Sequence, residues 1–548
     1  MSRGPSRPHS RRASWTDRAA VAFRTRTAPG RALSATLEEL RHRRIPLHAT
    51  SLFAVVSAAA LAVLLVSGVV LMFFYTPSSD PVIYRGGYPL LAGVEVSKAF
   101  ASTMAISYEV GGGLLIRQVH HWAALLLPAS LILQVLVMFF TGGFRRPRQW
   151  SWVLLFLLLI VALVGGWSGY ALPDDMLSGS GLRIVQGIVL AIPVVGTWVS
   201  ALLFGGEFPG TIIENLYPIH VAIVPVLLIA LVLALVRLWY VHQPAQFAGP
   251  GRTEENVVGV PFANAAVRAA GLFAIVCGIL LLVSATVTIS PIWLYGPSSP
   301  GDASAGSQPD WYTGFLDGAL RLVPPGWEVE LLGHTWSIAL LGPLVVVSVF
   351  LLAVAVYPFV ENWASSDHRD HHLLDRPRNA PTRTALGVAG IVFYGVLWVS
   401  ASADLVATHF HLTIEGVIHV LQITLLIGPA IGLGITRSVC VALQRRDREM
   451  ALHGFETGQI LRLPGGEYVE VHQQLDRYTR WTLLQQDHPA AYAPRPDDRG
   501  RLHVTSRIRG AISRWMLEDR IELIARDPHE PIRELGGGRE DAPGLRPG

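Results

Sequence analysis

Eight stretches of this chain are apolar over close to the ~20 residues that a helix needs to cross a bilayer. They run 52–74, 115–140, 151–173, 217–241, 268–290, 337–359, 384–402 and 414–436, and we call them spans A to H. In hydrocarbon every backbone N–H and C=O needs an internal partner, so eight such stretches dictate an all-α integral membrane protein. Charge agrees with this. Only 15% of residues are Asp, Glu, Lys or Arg, against about a quarter in soluble domains. A net charge of +4 points to no nucleic-acid partner. The two cysteines, Cys277 in an apolar run and Cys440 beside a basic segment, read as unpaired thiols.

The arginines set the expected topology. Arg145, Arg146 and Arg148 fall in the short B–C loop, and Arg369, Arg376, Arg378 and Arg383 in the F–G loop. Both loops belong in the cytoplasm with the Arg-rich N-terminus, and eight spans then return the C-terminus to the same side. The E–F loop sets Asp302, Asp310, Asp317, Glu328 and Glu330 against Arg321 alone, so it belongs outside. Residues 1–44 precede any apolar core and read as a disordered basic arm. Residues 45–250 hold the first four spans, 251–440 the second four, and 441–548 a polar cytoplasmic extension. In that extension "WTLLQQ" and "AISRWMLEDRIELIARD" are candidate surface helices. The outer C–D loop (174–216) and E–F loop (291–336) are long enough to carry short helices and a function. The spans show neither internal repeats nor matched broken helices, which argues against a transporter.

Ionisable groups inside a bilayer are costly and mark function. His120 and His121 open span B, and His220 lies near the start of span D. Both spans run from the outer face inward, so the three imidazoles share a depth. Spacing alone leaves two readings open: hydrogen-bonded interface histidines, or axial ligands of a haem clamped between helices.

The words around them narrow the choice. "GGLLIRQVHHWAALL" (112–126), "GYALPDDMLSGSGLR" (169–183), "FPGTIIENLYPIHVAIVP" (208–225), "GPGRTEENVVGV" (249–260), "SAGSQPDWYTGFLDGALRL" (304–322) and "LQRRDREMALHGFETGQILRLP" (443–464) occur in this order. From about Arg41 to about Leu475 the chain resembles the cytochrome b subunit of the quinol–cytochrome c reductases of actinobacteria. The resemblance implies a haem-binding four-helix bundle in spans A to D, with two b haems stacked across the bilayer. Their histidines lie 14 or 15 residues apart on B and D. A step of 14 moves ~21 Å along a helix and returns within about 40° of the same face.

Carried onto this chain, the resemblance makes His120 and His220 the outer haem's ligands, with His121 a non-ligating neighbour. Gly68, Gly169 and Arg117 then belong to the haem site. The inner ligands would fall at Gln134 and Leu235, and the inner glycines at Ala54 and Leu155. All four have changed, so one haem b is expected and the inner site reads as closed. The nearest other candidates, Met138 and His242, match neither position. The resemblance further assigns quinol oxidation to the outer loops, with Asp310 of "PDWY" as proton acceptor and Tyr312 as quinol contact; by themselves these could equally cap a short helix and anchor it at the interface. Asp174 and Asp175 read as turn residues, and the histidines of "DHRDHHLLDRPR" (367–378) as a solvated loop without metal. The implied setting is a plasma-membrane complex, dimeric, with a Rieske iron–sulfur subunit, a cytochrome c subunit and a quinol, leaning to menaquinol. The competing expectation is a degenerate, non-catalytic paralogue that pairs with a complete cytochrome b.

Overall fold

The computed structural model describes residues 27–206, 208–299, 309–484, 489–496 and 501–521. Among the described residues, eight helices are long and apolar enough to span a membrane: Ala49–Met72, Gly113–Phe140, Gln149–Ala171, Ile212–Val241, Phe262–Thr286, Ile338–Ser365, Pro381–Ser400 and Ile414–His453. They are spans A to H. We call inner the face that carries both described ends of the chain, and outer the opposite one. Spans A to D form one bundle, in which A packs on B, B on C and C on D; E lies against A and B, F against C, and G against H. The spans are apolar all round, as a helix facing both neighbours and lipid must be.

Span H differs most from its expected length. It continues as one helix to His453, so at 1.5 Å per residue it is about 60 Å long, roughly twice the hydrocarbon core. Its polar second half has a buried side: Gln444 is covered by the C-terminal extension, and Asp447 pairs with Arg378 of the F–G loop at 2.7 Å. The hairpin Phe455–Arg462 with Tyr468–Gln473 follows. The two candidate surface helices appear as Arg477–Leu484 and Val504–Leu517.

The N-terminal expectation needs correction. Residues 1–26 lie outside the described residues, but Ala28–His42 is a helix, capped where Thr27 Oγ1 accepts from the Gly30 N–H at 3.0 Å. Arg43 then donates to the carbonyls of Tyr240 (2.7 Å), Trp239 (3.0 Å) and His242 (2.6 Å). These are otherwise orphan acceptors at the end of span D, so the arm is tied down by helix-end chemistry that hydropathy does not register.

On the outer face the C–D loop carries two helices, Met176–Leu190 and Gly196–Phe204. Asp175 caps the first through a capping box with Ser178, which accounts for it structurally. The E–F loop carries the helix Gly314–Arg321 and a hairpin, Glu328–Leu331 with His334–Ser337.

The F–G loop is not the solvated segment expected. His371, Asp375 and Asn379 are buried, and Arg383, counted above with the loop charges, is 2% exposed in the first turn of span G. Its guanidinium bridges Asp375 at 2.5 Å and Glu361 of span F at 3.0 Å, while Arg145 reaches Asp375 at 3.1 Å. Among the described residues no three metal-ligating side chains gather here or elsewhere. Burial alone would push the Asp375 carboxyl up, but Arg145, Arg383 and Arg520 outweigh it and hold it well below the usual range. Its contribution to stability is present above about pH 4 and is lost as pH falls. Arg383→Leu would take from Glu361 its bridging partner and leave Asp375 with Arg145. We expect a loss of about 3–5 kcal/mol, seen as a lower unfolding temperature of the detergent-purified protein. A variant as stable as the parent would show the bridge to be dispensable.

Candidate functional site

Between spans A, B, C and D, toward the outer face, lies a cavity of about 250 Å³. His120 and His220 face each other across it with ring centres 6.2 Å apart. Iron between two imidazoles needs two bonds of about 2 Å each plus two ring radii, or roughly 6 Å between ring centres. The pair therefore has the separation that an iron between them requires.

Each ring is oriented from behind. Ser67 Oγ donates to the Val63 carbonyl at 2.6 Å and lies 2.9 Å from His120 Nδ1. Ser168 Oγ donates to the Gly165 carbonyl at 3.1 Å and lies 3.1 Å from His220 Nδ1, which also meets the Gly165 carbonyl at 3.1 Å. With the serine protons committed elsewhere, both Nδ1 atoms are donors. Both Nε2 lone pairs are then left toward the cavity, the tautomer a metal-binding imidazole needs. The serines were missed in the sequence reading, although a signal was there: each precedes its glycine in the same dipeptide, Ser67-Gly68 and Ser168-Gly169.

The glycines make room. A Cβ on Gly169 would stand 2.5 Å from His220 Cε1, and one on Gly68 3.2 Å from His120 Cε1. Span D carries its histidine on a π-helical turn, Ile219–Ile223. Pro218, just before that turn, has no N–H to give the helical ladder, and such turns are frequent at functional sites. Arg117 is buried at the cavity wall. Its Nη2 donates to the Ser290 carbonyl at 2.9 Å, and its Nε has no partner.

The same cavity brings in the outer loop. Asp310 opens the turn Trp311–Thr313, yet its side chain makes no capping bond. Its carboxylate meets His121 Nε2 at 3.1 and 3.2 Å and accepts from the Tyr312 hydroxyl at 2.9 Å. Tyr312 is 1% exposed, and burial beside Asp310 pushes its phenol well up. It packs so close to span C that a Cβ on Gly166 would lie 2.6 Å from its ring. His121, expected only as a non-ligating neighbour of His120, is the partner of the candidate proton acceptor, 189 residues away in sequence. Nearby, burial pushes Asp174 up to about 6, against the opposing hydrogen bond from Ser97.

The inner half of the bundle is built differently. Leu155 is 7% exposed and belongs to a core with Leu131, Val135, Phe144, Trp152, Leu159 and Leu228, against which Leu235 packs. Phe139, Phe144, Trp152 and Tyr357 stack through one another at ring distances of 4.8–6.1 Å. Ala54 is exposed and fills nothing. Gln134 keeps a buried Oε1 without a partner. An amide, an isobutyl group and packed aromatics do not fit a haem that asks for two imidazoles and open faces.

Residues 125–297 match the family model described as cytochrome b(N-terminal)/b6/petB. The cytochrome bc1 complex cytochrome b subunit of Streptomyces coelicolor is 42% identical over 520 residues, 93% of either chain. The chain belongs to the cytochrome b family. The corresponding subunit of Mycobacterium tuberculosis is 44% identical over 446 residues, 81% of either chain. A solved hyperthermophilic respiratory complex III shares the fold of this cytochrome b, with a TM-score of 0.54 and 19% identity over 74% of this chain and 98% of that one. Its family binds haem, and it is a multi-pass membrane protein.

Two substitutions separate geometry from helix propensity. Gly→Ala inside a helix otherwise stabilises by about 1 kcal/mol. Gly169→Ala, whose Cβ would collide with His220, should abolish the b-type absorbance of the purified protein. Gly68→Ala, with 3.2 Å to His120 Cε1, should reduce it only in part. Equal spectra in the two variants would refute this reading of the imidazole positions.

Proposed function

We propose that this cytochrome b oxidises a quinol, with menaquinol preferred, at the outer face as a subunit of a quinol–cytochrome c reductase, using one haem. The observation that carries this is the outer cavity between spans A to D. It joins the facing imidazoles of His120 and His220 to the cluster of His121, Asp310 and Tyr312.

A quinol gives up two protons and two electrons. In the proposed site the Asp310 carboxylate takes one proton from one quinol hydroxyl, within the hydrogen-bond range that general-base transfer needs, and the proton of the other hydroxyl leaves with the electron that passes to the Rieske partner. His121 and Tyr312 fix that carboxylate, one from span B and one from its own loop, so it presents a constant face to the cavity. Tyr312 therefore acts first as a holder of Asp310, and contacts the quinol from the cavity wall. Haem held by His120 and His220 would supply a one-electron acceptor beside the site, with Gly68 and Gly169 leaving space. Arg117, buried in the cavity wall, would lend its positive charge to that site. The other electron goes to a Rieske iron–sulfur partner and on to a cytochrome c subunit, in a dimeric plasma-membrane complex with both chain ends in the cytoplasm. The filled inner half supports the loss of inner quinone reduction. It also favours the second reading, a non-catalytic structural partner of a complete cytochrome bc complex.

Haem per polypeptide, with a redox titration of the b-type absorbance, separates these. One haem, lost in His120→Ala or His220→Ala, is expected. Two haems would sink the closed inner site, and none would leave the structural partner. Asp310→Asn keeps the shape but removes the base. It should slow quinol oxidation by about 100-fold or more while the haem spectrum stays intact, and an unchanged rate would remove Asp310 from the proton route.

A further inference from the structure

The segment Arg501–Ile521 is polar in sequence, yet spans G and H present buried polar groups that it satisfies, and it is tied to the end of span F as well. On span H, the amide of Gln444, 1% exposed, binds main chain at two points. Its Nε2 donates to the Asp519 carbonyl at 3.2 Å, and its Oε1 accepts from the Ile521 N–H at 2.9 Å. Also on H, Arg437 Nε donates to Asp519 Oδ2 at 3.1 Å. On span G, the buried Thr382 hydroxyl lies 2.6 Å from Asp519 Oδ2 and 3.1 Å from the Trp515 carbonyl. At the end of span F, Arg509 donates to the Trp363 carbonyl at 2.7 Å and to Ser366 Oγ at 2.5 Å.

Two further contacts run inward. Arg520 lies within electrostatic reach of Asp375 and Glu361, the carboxylates that Arg383 bridges. Met516 and Leu517 are buried against Ala364 and Tyr357. Tyr357 also stacks on Phe139 at 4.8 Å and on Phe144 at 5.5 Å, so the segment continues the apolar fill of the inner half without a break. A segment resting casually on the surface would not be read through its own main chain by a buried amide, since a buried polar group must find a partner.

We propose that Arg501–Ile521 is an intramolecular latch, which fastens the inner ends of spans F, G and H together and shuts the filled half of the bundle from the inner side. The latch does not depend on the quinol chemistry above.

Cys440 is a built-in reporter. It is 5% exposed on span H and lies within electrostatic reach of Asp519. In full-length, detergent-purified protein carrying Cys277→Ser, a charged maleimide should label Cys440 slowly. The double variant Asp519→Ala/Arg520→Ala, and a chain stopped after Leu484, should label at least tenfold faster. Gln444→Leu should fall between. The point variants keep the test open if the shortened chain fails to fold, and helical circular dichroism reports that directly. Rapid labelling of the full-length protein, or no acceleration in well-folded variants, would overturn the latch. A protected thiol in a protein that oxidises no quinol would count against the proposed function and leave the latch standing.

Discussion

A polar atom inside an apolar bundle must have a partner, and the two halves of this protein meet that demand in opposite ways. In the outer half the rings of His120 and His220 are each tied at Nδ1, to Ser67 and Ser168. Only the atoms that face the cavity are left open. In the inner half the demand has been met by removing polarity: leucines and aromatics fill the space, and Gln134 keeps one buried oxygen unpartnered. Burying such an atom costs roughly 1–3 kcal/mol, so Gln134 is a local weak point of the inner packing.

The asymmetry has a simple energetic basis. A cavity wide enough for a large planar group is unstable when nothing fills it, because the lining atoms lose their dispersion contacts. Leu155 where a glycine is expected, and Trp152 with Phe144 beneath it, restore those contacts on the inner side. Gly68, Gly166 and Gly169 keep the outer side open. Side-chain size at a handful of positions thus decides which level of one continuous bundle can host chemistry.

Much of this was legible in the sequence, for identifiable reasons. The eight spans follow from hydropathy, and each begins within about six residues of where the apolar run does. The histidines and glycines stand out because each is anomalous in an apolar helix. What stayed hidden depends on contacts between distant parts of the chain. His121 finds Asp310 across 189 residues, and Gln444 finds residues 519 and 521. The arm before span A and the far half of span H are too polar for hydropathy to mark them, although Leu33, Leu37 and Leu40 of the arm recur at helical spacing. Helix capping by Arg43 and burial under the extension order them instead.

The wide turn at Ile219–Ile223 has a consequence for counting. A π-helical turn takes in one residue more than an α-helical turn for about the same advance along the axis. Span D therefore needs one more residue than span B to descend from the level of the facing imidazoles to the level below. Gln134 lies 14 residues beyond His120, and Leu235 lies 15 beyond His220. A turn of this kind accounts for an interval of 15 on span D where span B uses 14.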